Sequence, residues 1–188
     1  MRRSAASLVL IACAIATLVG QTNAPRRPLA AADIDAIATL LKLEDTRAFD
    51  EAALAKLTTA PHPEVRRRAI MTIGRTVHPR GRAPLSALRG ESDVELLSTV
   101  VFATGQVKDA SAIPWLSGLL LDPATPTVVA REAAQALGKL ATTAEAAAPA
   151  RAALGQYLLA AKEATANPVV IGEALLAIGR FTAREDLT

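Results

Sequence analysis

The side chains best suited to chemistry are two histidines and a single cysteine, and none of them stands in a reactive pattern. His62 and His78 each precede a proline in a predicted turn, and neither has a cysteine or acidic residue at the spacing of a metal site. We therefore expect both histidines to be exposed turn residues. Nucleophile-elbow, phosphate-loop and zinc motifs are absent from the sequence. The sequence thus predicts no catalytic residue, no cofactor, no metal ion and no small-molecule substrate.

A local excess of arginine is the one unusual charge pattern. Residues 62–90 hold seven arginines and one glutamate, so this stretch carries a net charge of +6. These arginines could be solvated or structural, or they could bind an acidic protein, an anionic surface or nucleic acid. Nucleic acid is disfavoured because aromatic residues, on which bases stack, make up only 3% of the chain.

Apolar residues recur at helical spacing before a glycine, and this arrangement returns along the chain. Val65, Ala69 and Ile73 lie four residues apart, so they share one face of a helix that is predicted to end at Gly74. Similar stretches run over 96–105, 129–138 and 170–179, and the successive final glycines are 31, 33 and 41 residues apart. A period of this size predicts a solenoid of stacked helix pairs.

The pattern V-R-x-x-A-[AI]-x-x-[IL]-G, which residues 65–74 carry in full, resembles the second helix of a HEAT repeat. The resemblance is to the phycobilisome-lyase-like bacterial type in particular, and it covers roughly Asp50 to Phe181. It implies an all-α chain, an α-solenoid of about four HEAT-like helix pairs preceded by an N-terminal capping helix. It also implies that Arg66 bonds a carboxylate of the neighbouring repeat, and Asp93 or Glu95 could supply one.

Caps, prolines and apolar faces predict the helix boundaries. Asp33 is the predicted N-cap of the capping helix, which extends to Leu43 and follows a linker at residues 25–32. The solenoid is assigned to residues 33–188. We expect this chain to be the front piece of a longer protein, and the alternative is that the tail at 182–188 folds over the last helix. The predicted pairs are 50–57 with 63–74, 83–88 with 93–104, 111–121 with 125–140, and 144–165 with 168–181. The residues predicted to be buried are Val65, Ala69, Ile73, Val129, Ala133 and Leu137.

The first 24 residues read as a signal peptide. Two arginines precede an apolar run of 15 residues, shorter than the ~20 that a membrane-spanning helix needs. A single-pass anchor is the alternative. The stretch 10–13 resembles the lipobox of bacterial lipoproteins, which makes Cys13 a lipidation candidate, whereas 22–24 offers an ordinary cleavage site. The chain is therefore expected to be exported to the periplasm or cell envelope, with a membrane tether through Cys13 or the leader as one outcome.

In a HEAT array the second helices line the concave side, so their exposed positions are the predicted partner-binding surface. These positions lie seven, six and three residues before each repeated glycine. They mix charged side chains with large apolar ones, which suits an extended peptide or protein ligand, and Arg67, Arg68 and Phe102 are expected to contribute most. The full set is Arg67, Arg68, Met71, Ser98, Thr99, Phe102, Arg131, Glu132, Gln135, Gly172, Glu173 and Leu176.

The leading functional prediction is a non-catalytic HEAT-repeat scaffold for protein–protein interaction in the bacterial cell envelope. One alternative is the N-terminal substrate-holding or regulatory array of a longer exported enzyme. Exported proteins ending in a cyclophilin-type peptidyl-prolyl isomerase look similar around Leu41 to Asp50. A nucleic-acid-binding HEAT array, as in the alkylpurine glycosylase type, is the remaining alternative.

Overall fold

The computed structural model describes residues 27–140, 144–161 and 167–185, and every regular element in those ranges is helical. One helix, α1 (Ala31–Thr46), comes first, and four helix pairs follow it. The all-α prediction is confirmed. The pairs are α2 (Glu51–Leu57) with α3 (Pro63–Thr76), α4 (Arg82–Ala87) with α5 (Val94–Gln106), α6 (Ile113–Leu121) with α7 (Thr127–Leu140), and α8 (Ala144–Ala160) with α9 (Pro168–Glu185).

The second helix of each pair stacks on the second helix of the next, in the order α3, α5, α7, α9. The first helix α6 likewise packs on α8, and α1 lies against α3. Trp115 at the start of α6 touches both the core of the first two pairs and the core of the last two. The predicted apolar stripes are buried, because Val65, Ala69, Ile73, Val129, Ala133 and Leu137 are all 1% exposed or less.

The beginning of the chain differs in detail from the prediction. Residues 1–26, which include Cys13 and the predicted signal peptide, lie outside the described part of the structure. Helix α1 begins at Ala31, inside the predicted linker, with Ala30 as its N-cap. Asp33 is therefore not the cap. It lies in the first turn, and its carboxylate accepts a hydrogen bond of 2.9 Å from the backbone N–H of Ala30.

The repeated glycines do not end the second helices, and that prediction is wrong. Helix α3 continues past Gly74 to Thr76, α5 past Gly105 to Gln106 and α7 past Gly138 to Leu140. What each glycine provides is space for the next helix. A Cβ atom on Gly105 would lie 2.9 Å from the Cα of Ala136, closer than real contacts allow. Gly74 meets Ala103 at 2.9 Å and Gly138 meets Ala177 at 3.0 Å in the same way.

The two histidines are helix caps, and His62 is buried rather than exposed. Its Nδ1 atom accepts a hydrogen bond of 3.1 Å from the backbone N–H of Glu64, so Nε2 carries the proton and donates to the carbonyl oxygen of Arg27 at 2.9 Å. His78 is half-buried and stacks on Phe49 with ring centroids 4.6 Å apart. Its Nδ1 atom accepts from the backbone N–H of Arg80 at 3.2 Å. The following proline in each case lies in the first turn, where its missing N–H costs nothing.

In the described ranges, no helix is both long enough and apolar enough to cross a membrane.

The ends of two helices also differ from the prediction. Helix α8 ends at Ala160, and residues 162–165 of its predicted continuation lie outside the described residues, whereas α9 runs on to Glu185.

Val77, at the end of α3, has a left-handed backbone conformation with φ of 53°. For a β-branched residue this conformation is unfavourable by about 1–2 kcal/mol. Because the Val77 side chain is exposed, replacing it removes little packing. We expect Val77→Asn to raise the free energy of unfolding by about 1 kcal/mol, since asparagine tolerates this conformation. Urea unfolding measures the change. Lys108→Asn, at an unbranched residue with the same φ, should give a smaller gain, and an equal gain at both sites would contradict the explanation.

Candidate partner-binding surface

The predicted partner-binding residues all lie on the four second helices, which present them in the order α3, α5, α7, α9. We call this surface the second-helix face. Arg131 and Leu176 are exposed, and most of the other members are half-buried. Thr99 departs from the prediction because it is only 8% exposed, and its hydroxyl donates to the carbonyl oxygen of Glu95 at 2.8 Å. Thr99 therefore contributes to the packing of α5 and offers no exposed side chain.

At the α3 end of the second-helix face, Arg67 is paired with acids of its own chain. Its Nη2 and Nε atoms donate to the carboxylate of Glu64 at 2.6 and 2.9 Å, and Nε lies 4.0 Å from Glu95. The hydrogen bond with Glu64 raises the pKa of Arg67, against the lowering effect of burial. The charge of this guanidinium is therefore compensated locally.

Glu44 of α1 contacts three other side chains of α3. It accepts a 2.8 Å hydrogen bond from the hydroxyl of Thr72, lies 2.8 Å from Arg75 and lies 3.8 Å from Arg68. The carboxylate is largely buried between the two helices. Glu44 thus fastens the capping helix to the first pair, and Arg68 is turned towards that contact.

Of the remaining arginines in residues 62–90, some pair with a carboxylate and Arg66 does not. Arg89 lies 2.9 Å from the buried carboxylate of Asp109, and Arg80 lies 3.1 Å from Glu51. Arg66 was expected to bond Asp93 or Glu95. Among the described contacts it bonds neither, and its Nε atom is buried without a hydrogen-bond partner. Most of the positive charge in residues 62–90 is therefore compensated by carboxylates within the fold.

In the middle of the second-helix face, Phe102 of α5 lies under a lysine of α7. The ammonium group of Lys139 sits 4.8 Å from the ring centroid and donates to Gln135 at 2.8 Å. Burial lowers the pKa of Lys139, and the nearby charge of Glu132 opposes that shift. The ring of Phe102 is thus partly covered by a side chain of its own protein.

Two carboxylates next to this group are incompletely bonded. Glu132 lies 2.6 Å from Arg131, but its second oxygen is buried without a hydrogen-bond partner. Glu173 has the same feature at the oxygen that lies 3.6 Å from Arg180. The α7 and α9 end of the second-helix face therefore carries acidic groups as well as basic ones.

A groove that the prediction missed crosses the beginnings of the second helices. Val94, Val128 and Val169 stand in the first turns of α5, α7 and α9, and they are 40%, 41% and 54% exposed. They enclose an open groove of about 420 Å³. We call it the valine groove, and its residues are Val94, Pro126, Thr127, Val128, Arg131 and Val169.

A sequence signal for the valine groove does exist. The three valines stand ten or eleven residues before Gly105, Gly138 and Gly179, just after each N-cap region. A valine in the first turn of one helix means little, because single exposed apolar residues are normal on protein surfaces. Only the stacking of α5, α7 and α9 brings the three together.

Among the described residues, no group of three or more histidine, cysteine, aspartate or glutamate side chains is placed to hold a metal ion. The arrangement offers a surface for contact, with apolar and polar positions on successive helices. Such a surface can bind a macromolecular segment that runs across the repeats.

Comparison with known protein families agrees with this architecture. Residues 51–138 match the family model described as HEAT repeats. The helix pairs are HEAT-like. The matched segment begins at the first residue of α2 and ends in α7, so it covers the first three pairs of the HEAT-like solenoid. No curated protein matches the chain.

Proposed function

We propose that this HEAT-like solenoid is a non-catalytic scaffold of the bacterial cell envelope, and that an extended segment of a partner protein lies across its second-helix face. The valine groove is the observation that carries the proposal. Three exposed valines on the successive second helices α5, α7 and α9 give an apolar line along one groove, with one arginine beside it. An extended segment crossing the repeats can place alternate side chains against such a line.

The pairing of the arginines favours an apolar partner segment over a strongly acidic one. Arg67 is held by Glu64, and Glu44 lies close to both Arg68 and Arg75. An acidic ligand would have to compete with these carboxylates for each guanidinium. The same compensation favours a protein over nucleic acid, because binding to phosphates depends on uncompensated positive charge.

Arg131 is the polar position best placed to orient the segment. It lines the valine groove, its side chain is 45% exposed, and its Nη2 atom lies 2.6 Å from Glu132. The guanidinium has five N–H donors, so it can keep this contact and still donate to a backbone carbonyl of the ligand. The expected main contributors are therefore Val94, Val128, Val169 and Arg131, with Phe102 and Leu176 further along the same helices.

The envelope location is supported by the leader. Residues 1–24 combine a basic start, a short apolar run and small residues, and Cys13 stands in a lipobox-like context. Lipidation at Cys13 would place the solenoid at a membrane surface through the residues that precede α1. Mass spectrometry of the protein from its native host reads the mature N-terminus. An unprocessed Met1 in a cytosolic fraction would overturn the envelope assignment.

The test of partner binding is site-specific photo-crosslinking in the host. A photoreactive phenylalanine analogue at Val128 should capture one partner protein, and Val94→Asp with Val169→Asp should weaken that capture at least about tenfold, since two apolar contacts are lost. The matched control places the same analogue at Ile34, an apolar position on α1 that is 55% exposed, against 41% for Val128. The proposal fails if both positions capture the same proteins, or if the double variant captures the partner as well as wild type while remaining folded.

A further inference from the structure

Lys139 of α7 and Arg180 of α9 hold the same position in successive repeats. Each stands one residue after a repeated glycine, Gly138 and Gly179 respectively. The Cδ atom of Lys139 lies 3.6 Å from the position that a Cβ atom on Gly105 would take. In the same way, Nη1 of Arg180 lies 3.4 Å from the Cβ position of Gly138. Both side chains therefore extend over the preceding second helix.

The two cations differ in what they contact. Arg180 reaches back seven residues along α9 and lies 3.6 Å from the carboxylate of Glu173. Lys139 has Glu132 at the same spacing on α7, but its ammonium group lies 4.8 Å from the ring centroid of Phe102 instead. The helix beneath Arg180 has a glutamine at the position that corresponds to Phe102. An aromatic ring therefore competes with the carboxylate for Lys139 but not for Arg180.

The carboxylate of Glu132 keeps an unused acceptor within electrostatic reach of Lys139. One of its oxygens lies 2.6 Å from Arg131, and the other is buried without a hydrogen-bond partner. Buried polar atoms are normally bonded, so this oxygen requires an explanation. Burial lowers the pKa of Lys139, and the charge of Glu132 opposes that shift. Arg180 lowers this pKa further and Glu173 raises it, so both carboxylates act on the ammonium group.

We propose that Lys139 is a displaceable cover of the Phe102 ring, an inference that rests on the proposed function. In the free chain the ammonium group covers the ring. When the partner segment lies across the second-helix face, one of its apolar side chains packs on Phe102, and Lys139 turns to the unbonded oxygen of Glu132. The exchange leaves no charge unpaired, because the ammonium group moves from a ring to a carboxylate. An incoming charge of either sign would face a like charge among these acids and bases, so the occupant is apolar.

Photo-crosslinking from Val128 tests the cover on the partner. Lys139→Ala should raise capture about two- to fivefold, because the cation–π contact no longer competes with the partner. Glu132→Gln should lower capture by about twofold or more when Lys139 is present, and should have no effect in the Lys139→Ala background. The matched control is Arg180→Ala, at the same repeat position without a ring beneath it, which should not raise capture.

Two results of the crosslinking overturn the proposal. One is capture that does not rise in Lys139→Ala. The other is an effect of Glu132→Gln that persists in the Lys139→Ala background, because Glu132 would then act through its contact with Arg131. Circular dichroism checks that each variant folds.

An NMR titration of the purified full-length protein, with isotope-labelled lysine, tests the second position of Lys139 in the absence of a partner. Phe102→Leu removes the ring, so Lys139 should turn to Glu132 and its pKa should rise. Glu132→Gln should then lower that pKa more in the Phe102→Leu background than in wild type, because the two groups are in contact only when the ring is gone. Equal effects in both backgrounds contradict the exchange. If Val128 captures nothing, the proposed function fails, and this titration still decides whether Lys139 moves.

Discussion

Gly105→Ala is expected to destabilise the solenoid, although alanine is normally the better helix former by about 1 kcal/mol. The added methyl group would lie 2.9 Å from the Cα and Cβ atoms of Ala136 on the next second helix. Those atoms belong to a packed helix, so α5 and α7 must move apart. The cost of such overpacking is about 1–3 kcal/mol, which exceeds the gain in helix propensity. Urea unfolding followed by circular dichroism measures the change.

Gly118→Ala provides the control, because Gly118 lies in α6 with no atom within 4 Å of an added Cβ. It should raise the free energy of unfolding by up to about 1 kcal/mol. Ala136→Gly in the Gly105→Ala background should recover part of the loss, since the methyl group is then exchanged across the contact. If Gly105→Ala and Gly118→Ala change stability in the same direction, the close-approach explanation is incorrect.

Asp109→Ala is expected to cost about 3 kcal/mol, because it breaks a buried pair and leaves one charge behind. The Asp109 side chain is 7% exposed and accepts hydrogen bonds from the Ser111 backbone and hydroxyl at 3.1 and 2.6 Å. Arg89, 23% exposed, lies 2.9 Å from it and above the ring of Trp115. Removing the carboxylate leaves the guanidinium of Arg89 without its acidic partner between the second and third pairs. It also leaves the turn at Ala110–Ala112 without its N-cap.

Glu51→Ala is the matched control for Asp109→Ala. Glu51 also pairs with an arginine, Arg80, at 3.1 Å, but both side chains are more than half exposed. Exposed pairs contribute about 0–1 kcal/mol, so the change in unfolding free energy should be correspondingly small. Adding Arg89→Met to Asp109→Ala should recover stability, because no buried charge then remains without a partner. Equal losses for Asp109→Ala and Glu51→Ala would show that burial does not decide the strength of these pairs.

The helix pairs could be predicted because their information is local. Val129, Ala133 and Leu137 lie four residues apart, and that spacing alone defines one face of a helix. Asp93 caps α5, because its carboxylate accepts a hydrogen bond from the backbone N–H of Leu96 at 3.0 Å. Apolar stripes and caps of this kind depend on residues within one or two helical turns along the chain, so they can be predicted from the sequence alone.

The roles of Gly105 and His62 could not be predicted in the same way. A glycine after an apolar stripe is compatible with a helix end and with a close contact, and only the position of Ala136 on another helix distinguishes the two. His62 was expected to be exposed because it stands in a turn. It is buried because the carbonyl oxygen of Arg27, 35 residues away, accepts a hydrogen bond from the Nε2–H group of its ring. The proline after it was the local signal for a cap.

The sequence by itself determined the helical repeat, its period and the side chains on each second helix, because these follow from spacing along one chain. Tertiary structure alone decided which charges are free and which apolar residues meet. The sequence predicts that Arg68 is available to a partner, but in the structure the carboxylate of Glu44 on α1 lies 3.8 Å from it. Val94 and Val169 are 75 residues apart and unremarkable separately, yet stacking of α5, α7 and α9 places them in one groove. Electrostatic pairing and surface continuity depend on distances between helices, and local periodicity does not contain those distances.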